Sequence, residues 1–192
     1  LLKLGRTTDY NHGLNVTYNL PINKLPGLDW AMFGTRYSAT FNWKGEALTT
    51  ANKPYGANFG HTIQNTRAIQ LNPSLNMNGL YNKFKFIRNA KDSKNLWGTL
   101  INILTSVKNV TGAYIRTEGT FLPGYLPTTN LLGQDLGLGS PGLDFAFGSQ
   151  RDMRSDLINY GWITPNPDMN TSYTKLFKEE MNFRGILEPI PS

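Results

Sequence analysis

The run GLNVTYNL, Gly13 to Leu20, sets Leu14, Val16, Tyr18 and Leu20 on one side of the chain and Asn15, Thr17 and Asn19 on the other. Side chains that alternate with period two belong to a β-strand, because successive Cβ atoms point to opposite faces. A second run repeats the pattern after a short turn. Phe33, Tyr37, Ala39, Phe41 and Trp43 lie opposite Gly34, Arg36, Ser38, Thr40, Asn42 and Lys44. One row is apolar and the other fully polar, so each strand separates two different surroundings.

Three more runs extend the reading. Ile69, Leu71, Leu75 and Met77 stand against Gln70, Asn72, Ser74, Asn76 and Asn78, with Pro73 interrupting the apolar row. Residues 108–121 alternate only in part. Phe177, Met181, Phe183 and Leu187 oppose Lys178, Glu180, Asn182, Arg184 and Glu188 until Pro189 ends the run. The expected strands are therefore residues 13–21, 32–44, 68–79, 108–121 and 174–188. They exceed the usual soluble strand of about 5–6 residues and suit the roughly 9–11 residues of a tilted membrane strand. Trp30 and Trp43 are 13 residues apart. At about 3.3 Å per residue and a tilt near 40° they would stand roughly 33 Å apart along a membrane normal, enough to flank an apolar band about 25 Å tall.

The composition agrees with an all-β chain. Hydrophobic residues make up 39%, aromatics 12% and charged residues 17% of the 192, and Gly, Asn and Thr are plentiful. The net charge of +6 comes from scattered basic residues, not from a patch interleaved with aromatics, so nucleic acid is not the expected partner. No cysteine is present, which excludes disulfides and thiolate metal sites. No apolar stretch reaches the roughly 20 residues of a spanning helix, so any membrane crossing must use strands. Leu1 to Tyr10 lack the charged start and apolar centre of a signal peptide.

Two helices are expected inside the connections. One covers about residues 94–105, where Leu96, Trp97, Leu100, Ile101 and Leu104 form an apolar stripe. It either lies at a membrane interface or packs on the inner end of the sheet. The other covers about residues 150–160, with a capping-box spacing at Ser149 and Asp152 and Gly161 closing it. The glycine-rich stretch from Leu132 to Ser149 is either a functional outer loop or a set of turn residues.

Catalytic patterns are missing. His12 and His61 have no second ligand at metal-binding spacing, Gly137-Leu138-Gly139 lacks a strand-to-helix frame, and the adjacent Glu179 and Glu180 point to opposite faces of a strand. The expectation is a protein that is not an enzyme, with no cofactor, no metal and no catalytic residue.

Five stretches carry a resemblance: RTTDYNHGLNVTYNLPINKLPGLDW from Arg6, TIQNTRAIQLNPSLNMNGLYNK from Thr62, LPGYLPTTNLLGQD from Leu122, PGLDFAFGSQ from Pro141 and NYGWIT from Asn159. Together they resemble the SprA family of Bacteroidota, called Sov in some members. That resemblance implies a giant single-chain barrel in the Gram-negative outer membrane. Such barrels form the type IX secretion translocon, export folded cargo bearing a C-terminal signal, and support gliding motility in some species. It also implies partners: a PorV-like barrel, plug proteins, the exported proteins and the lipid bilayer. The chain is several-fold shorter than a family member and residues 44–60 depart from the family's pattern, so no binding residue is transferred.

The fold expected is therefore all-β with short helices in loops, a segment of a large antiparallel transmembrane β-barrel. Lipid would meet Leu14, Val16, Tyr18, Leu20, Phe33, Tyr37, Phe41 and Trp43. The lumen would meet Asn15, Thr17, Asn19, Ser38, Thr40, Asn42, Asn76 and Asn78. A TonB-dependent nutrient receptor barrel and a soluble β-sandwich binding module are the alternatives, since a sheet with one wet face shows the same alternation.

Overall fold

The computed structural model describes residues 5, 7–47, 58–91 and 96–188. Five strands dominate them: β1 (Asp9–Leu20), β2 (Ala31–Lys44), β3 (His61–Asn76), β4 (Val107–Tyr125) and β5 (Thr174–Leu187). They lie side by side in chain order in one antiparallel five-stranded sheet. Consecutive antiparallel strands need only local connections, which is why alternation in sequence translates directly into neighbours in space. At 12, 14, 16, 19 and 14 residues the strands are long. The Pro189–Pro191 strand end lies outside the described residues.

The third strand differs from expectation at both ends. It begins at His61, not residue 68, because His61, Asn65 and Arg67 stand among the inward residues and mask the apolar alternation. It ends at Asn76, not residue 79. There the Asn76 carbonyl side chain accepts from the Gly79 backbone N–H and starts helix α1 (Met77–Lys83), satisfying one of the donors a helix N-terminus leaves free. Pro73 stays inside the strand. Its ring packs where Gly112 of the next strand has no side chain: a Cβ there would lie 3.0 Å from Pro73 Cγ and 2.8 Å from the Phe183 ring.

Two further helices, α2 (Lys85–Lys91) and α3 (Leu96–Leu104), complete the β3–β4 connection. The latter is the helix expected near 94–105, although the side chains of Leu96 and Trp97 and all of residues 94 and 95 lie outside the described residues. The β4–β5 connection carries α4 (Leu143–Ala146) and α5 (Arg154–Asn159). The helix expected over 150–160 is thus shorter and has no capping box: Met153 is its N-cap and makes no side-chain cap bond. Asp152 instead accepts from the Arg154 backbone N–H and side chain, and these hydrogen bonds hold its carboxyl down at about 2. Among the described residues no helix is long and apolar enough to cross a membrane.

By their internal contacts the residues fall into two compact units, 1–16, 37–68 and 117–178 in the first, 17–36, 69–116 and 179–192 in the second. The first owns the buried core. Phe41, Trp43, Ile63, Leu122 and Tyr125 from the strands meet Phe145, Ala146, Met153 and Leu157 from the β4–β5 connection. That connection is a roof laid on one face of the sheet. The Phe41 and Phe145 rings meet edge to face at 6.2 Å, a favoured aromatic geometry. Gly133, in the left-handed region at φ +75°, lies so close to Phe41 that a Cβ there would sit 2.6 Å from the ring.

In the second unit the strands end on short turns. A 3-10 turn at Ile22–Lys24 follows β1, Asp29 pairs with Lys83 of α1, and Trp30 accepts the Asn76 backbone N–H at 2.8 Å. Tyr114 donates to Glu179 at 2.6 Å, tying β4 to β5.

Candidate functional site

The candidate surfaces lie on the sheet and are described within each unit in turn. In the first unit the roofed face is fastened by polar side chains that project from the strands to loop carbonyls. Tyr37 donates to Phe147 O at 2.7 Å, Trp43 to Pro127 O at 3.2 Å, and His12 Nε2 lies 2.9 Å from Ala146 O. Asn65 is fully buried and makes the central link: its Nδ2 donates to Phe145 O at 2.9 Å and Ser149 O at 2.8 Å, and its Oδ1 accepts from Gln150 at 2.9 Å. Gln150 in turn accepts from Thr120 at 2.9 Å. Every polar group of that amide is therefore matched, which is the condition for burying it without loss.

Phe41 and Trp43, expected to face lipid, are 1% and 2% exposed beneath this roof. The correction has a simple cause: the β4–β5 connection supplies Phe145, Ala146, Met153 and Leu157, so the chain covers this part of its apolar row itself. Tyr37 is half-buried there, held by its bond to Phe147. Leu14 and Val16 in the same unit are exposed. In the second unit Tyr18, Leu20, Leu71, Met181 and Phe183 are exposed on strands, and Phe33 is half-buried.

The expected polar row divides in the same way. Asn15 and Thr40 are exposed, Asn42 is half-buried, and Ser38 donates to Asn15 at 2.9 Å. Asn76 is a helix cap, and Asn78 lies inside α1, so it belongs to no strand face. Thr17 and Asn19 do come together with Arg36, Gln70 and Asn72 of the other expected polar rows, and with Asn23 and Lys24, which the sequence reading placed on no row. In the second unit these residues line an open cavity of about 750 Å³. Its floor is kept low at Gly34, where an added Cβ would lie 3.3 Å from Asn19 Oδ1 and 3.8 Å from Asn72 Cβ. Gln70 donates to Asn72 at 2.8 Å, which fixes both amide planes.

The roof loop carries its own charge pairs. Arg151 bonds both Asp144 and Asp156, holding α4 against the start of α5. Asp135 accepts from the Gly139 and Ser140 backbone N–H groups. Desolvation pushes its pKa up, but those hydrogen bonds outweigh it and leave the carboxyl below its ordinary value. The glycine-rich stretch is therefore an ordered cover of the sheet. His61 accepts from the Glu46 backbone N–H at 3.0 Å and packs on Trp43, and no group of metal-ligating side chains occurs among the described residues.

Asn65 had one sequence signal, an amide standing two residues from Ile63 in the run that enters β3. Replacing it by leucine leaves the Ser149 carbonyl without its Asn65 partner, at about 1–3 kcal/mol for a buried group left unsatisfied, while the Phe145 carbonyl keeps the Gly148 N–H and the Gln150 amide keeps the Gly148 carbonyl. The expected result is faster proteolytic cleavage within residues 126–173 at unchanged sheet content, measured by limited proteolysis and circular dichroism.

No protein-family model matches this sequence, and no curated protein matches it.

Proposed function

We propose that this chain is a wall segment of an outer-membrane, protein-conducting β-barrel of the type IX secretion class, one that passes folded cargo through a polar lumen without chemistry of its own. The observation that carries the reading is β5. All 14 of its residues are exposed, Phe183 by 70% and Met181 by 63%, and it occupies an outer position in the sheet. A row of exposed large apolar side chains along one face of a strand, such as Met181, Phe183 and Leu187, is what soluble proteins avoid. Within a barrel lipid covers such a row.

Two further features support it. Tyr18 and Leu71 are exposed in the second unit and are absent from the lining of the cavity there, whose polar lining includes Thr17, Asn19, Asn23, Gln70, Asn72 and Ser74 beside the apolar Leu20, Met32 and Phe33, a division suited to lipid on one side and water on the other. The exposed Leu100, Ile103 and Leu104 of α3 suit a helix lying at the membrane interface. A soluble sandwich requires a second sheet, and the described residues form one. The sequence resemblance to the SprA family supplies the secretion class, the location and the partners.

Fractionation of native cells, probed with an antibody against residues 122–150, is the direct test. The expected result is a band in the outer-membrane fraction that resists carbonate extraction. A band confined to the soluble fraction overturns the proposal.

A further inference from the structure

The cavity of the second unit has a chemical character of its own. Lys24 and Arg36 are its charged lining residues, and no carboxylate lines it. Neither cation forms an ion pair among the described residues. The remaining polar walls come from side-chain amides and hydroxyls, which present donors and acceptors together. With Gln70 already donating to Asn72, the Gln70 carbonyl oxygen and the Asn72 amide N–H groups are left for a ligand. At about 750 Å³ the space falls within the roughly 300–1,000 Å³ of ordinary small-molecule sites.

We infer that this cavity binds a small acidic saccharide, its carboxylate held by Arg36 and Lys24 and its hydroxyls by Asn19, Asn23, Gln70 and Asn72. Arginine offers a planar fork that matches a carboxylate in two bonds, and lysine adds a mobile point charge. Paired amides suit hydroxyls, which donate and accept at once. A peptide is a poorer fit: extended peptides gain affinity from a free strand edge, whereas β2 and β3, which build most of the floor, are paired on both sides. The inference stands on the cavity and is independent of the secretion reading.

The test is calorimetric titration of the full chain, held in detergent micelles, with digalacturonate. Saturable binding is expected, at least tenfold tighter than for the neutral disaccharide lactose, and weakening as salt rises. The paired substitution Lys24→Gln and Arg36→Gln, both at exposed positions, is expected to weaken it tenfold or more. Gly34→Leu, which fills the floor and leaves both charges, is expected to do the same. Absence of saturable binding overturns the inference, as does equal affinity for lactose. Inorganic phosphate binding as tightly as digalacturonate would make this a bare anion site, and tighter binding of triglutamate would make it an acidic-peptide site. Either result rejects the saccharide assignment.

Discussion

Phe41→Ala is expected to destabilise the first unit by about 3–5 kcal/mol, the usual cost of removing a fully buried aromatic ring from a packed core. The ring is 1% exposed and sits between Phe145 of the roof and the bare backbone of Gly133. Deleting it leaves a cavity bounded by both the sheet and the loop, and it removes the ring on which Tyr10 and His12 also pack. Hydrogen exchange would report the loss as reduced protection of residues 126–173 together with the ends of β2 and β3. Phe41→Leu keeps most of the volume and is expected to cost less. If Phe41 were bare and met only lipid, both substitutions would change protection by little, so equal protection in Phe41→Ala and the unaltered chain would refute the roofed core. Gly133→Val approaches the same contact from the other side and is expected to act in the same direction, since Gly133 also holds a positive φ of +75° that β-branched residues avoid.

That result bears on what the sequence could disclose. The strands themselves were legible because alternation is a local property: Leu14, Val16, Tyr18 and Leu20 declare β1 without reference to anything distant. The roof was not, because its contacts join residues far apart in the chain. Phe41 looks the same in sequence whether a lipid tail or Phe145 lies over it. Asn65 lay outside the expected strand because the polar residues Gln64, Asn65, Thr66 and Arg67 show no apolar alternation, and the carbonyls of Phe145 and Ser149 that allow it to be buried lie 80 and 84 positions away. Asn76 shows a different failure. Met77, Leu80 and Tyr81 carry a helical spacing of three and four, but the preceding alternation ran into it, and only the cap bond to Gly79 decides where strand becomes helix. The cavity was half legible. Thr17, Asn19, Arg36, Gln70 and Asn72 were legible as members of polar rows, whereas Asn23 and Lys24 joined that face only once the turn after β1 was placed beside it.

The membrane reading makes its largest claim on β3. Leu71 and Gln70 are adjacent, so their side chains leave opposite faces of the strand. Leu71 is 38% exposed, and Gln70 lines the polar cavity. If the apolar face meets lipid, Leu71→Lys is expected to reduce the stability of the inserted protein by about 2–4 kcal/mol, the cost of a lysine near the bilayer midplane, falling toward about 0–1 kcal/mol if the site lies nearer an interface. Gln70→Lys is expected to cost less, because its ammonium stays in water, the loss being the hydrogen bond to Asn72 and repulsion from Lys24 and Arg36 screened by solvent. Unfolding titrations in phospholipid vesicles would measure both. The contrast between the pair is the decisive quantity, since the two substitutions introduce the same charge into the same strand at positions one residue apart. A soluble sheet would remain folded in plain buffer and tolerate lysine at the partly exposed Leu71 for roughly the few tenths of a kcal/mol typical of surface substitutions. A bilayer leaves the lysine no such outlet, so equal stability of the two variants in vesicles would refute the lipid-facing assignment of this row.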